Sequence, residues 1–105
     1  MKRKAMEAMI EMGLPANFKG FRYITEIIGM YEEDDAWILG KLTLLYEVVG
    51  KKVGTSGANV ERCVRRAFEW MQVKGRLQKV EKYIGVEQKT NGSLLAAFYI
   101  RLQEE

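Results

Sequence analysis

The sequence contains no histidine, one cysteine (Cys63) and one proline (Pro15). Without histidine it lacks the commonest general base and the commonest metal ligand, which argues against hydrolytic and metal chemistry. A lone cysteine excludes an internal disulfide; Cys63 falls at the edge of a helical apolar stripe and reads as a small hydrophobe. No apolar run reaches the roughly 20 residues of a membrane span. The basic start Lys2-Arg3-Lys4 is interrupted by Glu7 and Glu11 before any signal-peptide centre can form. The expectation is a cytoplasmic protein without cofactor, metal or membrane contact. Nor is it an enzyme, since the remaining carboxylates read as caps and solvated faces and assemble no nucleophile, base and oxyanion donor.

What is present suits one all-α domain over residues 1–105. Hydrophobic residues make up 48% of the 105, enough for a core. The net charge of +3 is unevenly spread. Residues 51 to 82 hold nine basic side chains against three acidic, while residues 26 to 47 hold six acidic against Lys41 alone. Such a basic side suits a partner with phosphates, and a solvated lysine-rich face is the other reading of the same charges.

Apolar periodicity predicts a compact bundle of about six to seven helices. Met6, Met9 and Ile10 mark a first helix over residues 2 to 12, stopped by Gly13 and Pro15. Asn17 is the expected cap of a second helix with Phe18, Phe21, Ile24, Ile27 and Ile28 on one face. The run Glu32-Glu33-Asp34-Asp35 caps the next helix through Asp34 or Asp35. That third helix is expected from Ala36 to about Leu44, burying Trp37, Ile38 and Leu42. After Gly75 come a short helix with Leu77, Val80 and Ile84, a turn at Gly85, and a last helix capped by Ser93 that buries Leu94, Leu95, Phe98 and Leu102.

Residues 45 to 74 read as a helix-turn-helix. Leu45, Val48 and Val49 dock its first helix, Gly54 supplies a left-handed end, and Ser56 caps the second helix. From Gly57 to about Lys74, successive 100° steps put Val60, Val64, Ala67, Phe68 and Met71 on one stripe, with Arg62, Arg65, Arg66 and Glu69 opposite. A helix docked by the first face leaves the second free for a major groove.

The order of several short motifs carries a resemblance. Gly13-Leu14-Pro15-Ala16 with Lys19-Gly20, Leu39-Gly40-Lys41-Leu42-Thr43, Leu45-Tyr46, Lys51-Lys52, Val60-Glu61-Arg62, Arg65, Thr90-Asn91 and Ser93-Leu94 follow one another over about residues 10 to 103. In this pattern the chain resembles the C-terminal DNA-binding effector domain of the stage zero sporulation protein A family. The resemblance implies sequence-specific binding of double-stranded promoter DNA and regulation of sporulation-type genes. It implies Asn59, Glu61, Arg62, Arg65 and Arg66 as base-reading residues, and Lys51, Lys52, Ser56, Lys74 and Arg76 as contacts to the DNA backbone. Further partners would be RNA polymerase or a second copy in tandem on adjacent boxes. The sequence departs from the family pattern at Asn59 (usually basic), Arg66 (usually histidine) and Glu47 (usually proline), which implies a changed base preference. Family regulators carry a phosphorylated receiver domain ahead of this one; the chain is expected to be either a fragment of such a regulator or a freestanding effector. The alternative function is a protein interaction module that keeps the fold and pairs with a related full-length regulator.

Overall fold

The computed structural model describes all of residues 1–105 as seven helices and no strands: α1 (Lys2–Glu11), α2 (Lys19–Glu33), α3 (Ala36–Leu39), α4 (Leu42–Val53), α5 (Gly57–Lys74), α6 (Leu77–Tyr83) and α7 (Asn91–Gln103). The all-α bundle expected from apolar periodicity is the observed fold. α2 and α5 form its centre, with Ile24, Ile27 and Ile28 of α2 and Val60, Val64, Ala67 and Met71 of α5 withdrawn from solvent. α1 and α4 pack on them, and α7 closes the core with Leu95, Phe98 and Leu102. Edge-to-face aromatic pairs tie distant segments together, Tyr31 to Tyr99 and Tyr83 to Phe98, with ring centres 5.7 and 5.9 Å apart.

Several local expectations need correction. The third helix does not run from Ala36 to Leu44: it stops at Leu39, and Gly40 and Lys41 turn extended before α4 starts at Leu42. Trp37, Ile38 and Leu42 are only half-buried. Asn17 does not cap α2, whose N-cap is Phe18 without any side-chain bond. The cap of α7 is Thr90, whose hydroxyl accepts from the Ser93 amide, so Ser93 is the capped residue rather than the cap. In α1 the inward residues are Ala5, Ala8 and Met9, followed by Met12 at its C-cap, whereas Met6 and Ile10 face solvent. Val48 and Leu77 are likewise exposed. The Asp34 carboxylate does accept from the Ala36 amide at 3.0 Å, as its position suggested.

Candidate nucleic-acid interface

α4 and α5 are joined by three residues, and each has a local reason to be there. Gly54 sits at φ +80° and ψ +36°, a conformation that L side chains adopt at a cost. The amides of Gly54 and Thr55 both bond to the Gly50 carbonyl, closing α4. Ser56 then accepts from the Asn59 amide at 3.1 Å and starts α5. Gly50 makes the turn this tight, because a Cβ there would stand 2.6 Å from the Thr55 carbonyl oxygen. The first helix of the motif is longer than expected, starting at Leu42 and carrying Glu47 in its interior.

α5 has the two faces that its sequence predicts. Val60, Val64, Ala67, Phe68 and Met71 are buried; Arg62, Arg65, Arg66 and Glu69 are exposed. Arg62 projects opposite the centre of the buried stripe, with Arg65 and Arg66 on either side. The polar groups of this face are already organised. Asn59 donates from Nδ2 to the Thr55 hydroxyl and accepts from Arg62 through Oδ1, each at 3.0 Å. Glu61 and Arg65 form an ion pair one turn apart. The Glu61 backbone carbonyl also accepts from the Asn91 amide of α7 at 3.1 Å. Arg62 and Arg66 have no carboxylate partner.

The remaining basic residues are not equivalent. Lys51, Lys74 and Arg76 are exposed and unpaired, and Ser56 is exposed at the start of α5, the end opposite Lys74 and Arg76. Lys52 instead reaches α2, where it and Lys2 share the Glu26 carboxylate at 3.0 and 3.2 Å. Burial alone would push the Glu26 carboxyl up; the hydrogen bonds from Lys52 and Lys2 outweigh it and hold the group below the usual carboxylate range. Lys52 therefore fastens the motif to α1 and α2.

Toward α7, α5 borders an open cleft of about 440 Å³ that brings Arg65 and Glu61 together with Lys89, Thr90 and Asn91. The Tyr46 phenol also lines it, its hydroxyl buried without a hydrogen-bond partner. Burial pushes that phenol's pKa up, and the neighbouring Asn91 amide acts in the opposite direction. In the sequence Lys89, Thr90 and Asn91 are only a polar loop. Nothing local places them beside Arg65, which lies some 25 residues away along the chain.

A small helical bundle that presents an arginine-bearing helix through a tight, capped turn defines the class of helix-turn-helix domains. Residues 5–102 match the model of the family described as sporulation initiation factor Spo0A C terminal, and the chain belongs to that family. It is a family of DNA-binding effector domains acting in sporulation transcription, not a family of enzymes. No helix of the chain is long and apolar enough to cross a membrane.

Proposed function

We propose that this protein reads a specific box in double-stranded promoter DNA by inserting α5 into the major groove, and so regulates sporulation-type genes. The observation that carries the reading is the outward face of α5, where Arg62, Arg65 and Arg66 stand together behind a turn shaped by Gly50, Gly54 and Ser56. A guanidinium can bond both O6 and N7 of a guanine, and Glu61 can accept from a cytosine amino group. Asn59 has adenine as its best direct partner. Its bond to Arg62 gives it a second role, holding that guanidinium ready. Lys51, Ser56, Lys74 and Arg76 serve the phosphates, supplying affinity rather than discrimination. Lys52 contributes less, because Glu26 already neutralises much of its charge.

One observation favours the interaction-module reading: Leu39 is 93% exposed, and Leu44 and Val48 are also open to solvent. A second copy in tandem, RNA polymerase or a related full-length regulator would find an apolar surface on α3 and α4. The two readings part in a fluorescence-anisotropy titration against a box duplex and a scrambled duplex at two salt concentrations. Tighter binding to the box with a steep salt slope supports the DNA reader. Equal, weak binding to both duplexes rejects it and favours the module.

A further inference from the structure

The charges of α2 run against its own dipole. Lys19 and Arg22 stand in its first turn, at the positive end, and Glu32 and Glu33 in its last turn, at the negative end. Both placements disfavour the helix. The first turn has neither an acidic residue nor a side-chain cap to offset them. Lys19 and Arg22 are exposed and form no ion pair, since the nearest carboxylate on their stripe, Glu26, is held by Lys2 and Lys52. Two unpaired cations kept where they weaken their own helix point to a partner outside the chain.

The position of Lys19, with Arg22 one turn along the same stripe, says which partner. α2 approaches α5 so closely at Gly20 that a Cβ there would lie 2.4 Å from the Cys63 carbonyl oxygen and 2.7 Å from the Ala67 Cβ. Phe18 packs edge-on against Trp70 with ring centres 5.6 Å apart. Phe18, Lys19, Gly20, Cys63 and Arg66 line one shallow cleft, so Lys19 borders Arg66 on the open face of α5. On the other flank of α5, Glu47, Glu61 and Glu69 balance Arg62, Arg65 and Lys89, whereas the cleft on the α2 side holds Lys19 and Arg66 with no carboxylate and is the more positive. A helix with side chains is about 10 to 12 Å across and the major groove about 12 Å wide. At the start of α2, where Lys19 borders Arg66, the element packed against a groove-filling helix stands nearest the phosphates at the groove's rim.

We infer that Lys19 and Arg22 form a second phosphate-binding site, through which α2 clasps the DNA strand bordering the groove that α5 enters. This site rests on the DNA-reading function and adds to it an anchor outside the helix-turn-helix. It contributes affinity and orientation for any sequence, because phosphates carry no base information.

The test compares the wild-type chain with K19A/R22A, R62A and a charge control, R3A/R101A, on box and scrambled duplexes over a salt series. For K19A/R22A the salt slope, d log K/d log[salt], is expected to fall by about 0.9 per lost phosphate contact, with affinity lowered equally on both duplexes. Its melting temperature should hold or rise, since two charges that oppose the α2 dipole are gone. R3A/R101A should keep the wild-type slope. An unchanged slope in K19A/R22A, beside a wild-type preference for the box that R62A weakens, overturns the second site and leaves the DNA reader standing. A loss confined to the box duplex also overturns it. A wild-type chain that binds neither duplex removes the DNA reader itself, and the site with it.

Discussion

At the residue scale, the outward face of α5 works as linked pairs rather than as five independent side chains. Asn59 is tied to Thr55 and Arg62, and Glu61 to Arg65, so the Arg62 and Arg65 guanidiniums each have a neighbour that limits where they point, while Arg66 stands free. Arg62→Ala is expected to remove about 1 to 3 kcal/mol of discrimination between box and scrambled duplex without altering the circular dichroism spectrum. Retention of full box preference would remove Arg62 from the reading set. Asn59→Ala should give an intermediate loss, because Arg62 remains but is no longer held. Equal preference in Asn59→Ala and wild type would show that the bond to Arg62 does not matter on DNA. Lys51→Ala belongs to the other group, and its effect in the same titration should be the same on every sequence.

At the scale of elements, the motif depends on how closely its parts approach. Gly50 lets the turn fold back onto α4, and Gly20 lets α2 lie against α5. Gly50→Ala keeps a good helix former within α4 but drives a methyl group toward the Thr55 carbonyl oxygen, 2.6 Å away. The expected result is a destabilisation of about 1 to 3 kcal/mol, read from urea unfolding. An unchanged urea midpoint would mean that the turn relaxes freely, and that its shape is not what sets the angle between α4 and α5. The lengthened α4 belongs to this scale as well. With glutamate at position 47, the helix runs uninterrupted from Leu42 to Val53, where proline would remove a backbone donor and crowd the preceding turn.

For the whole molecule, stability should depend on pH at both ends of the scale. Glu26 joins α1, α2 and α4 through Lys2 and Lys52, and its folded-state pKa lies below its ordinary value of 4.5. Its contribution is therefore present above pH 4.5 and lost as the pH falls through the depressed value. Glu26→Gln should melt below wild type at pH 7, and the gap should narrow as the pH falls below 4.5; a gap of constant size would contradict the ion-pair account. At alkaline pH the sign reverses. Burial pushes the Tyr31 phenol from 10.0 up to about 12, so its contribution is complete below pH 10 and is lost as the pH rises toward 12. Melting temperatures of wild type and Tyr31→Phe from pH 9 to 12 check this: an equal alkaline loss in both proteins would place Tyr31 in water.

Much of the molecule was legible in its sequence because the relevant physics is local. The α5 stripe follows from helical periodicity alone, and Gly54 and Ser56 mark the turn through backbone preference and capping chemistry that act within four residues. Where α3 stops, the cap of α7 and the exposure of Met6 and Ile10 were not legible. Periodicity reports that a face is apolar, not whether a neighbour covers it. Three placements needed the folded chain: Lys52 on Glu26 rather than free beside Lys51, Asn91 on the Glu61 carbonyl, and Lys19 beside Arg66. Each joins residues distant in sequence, and which distant residues meet is decided by packing helices against one another. The sequence by itself determined the helices and the arginine-bearing face of α5; tertiary structure decided which cations stand free to meet phosphates, because a charge's partner is whatever the packed core brings within reach.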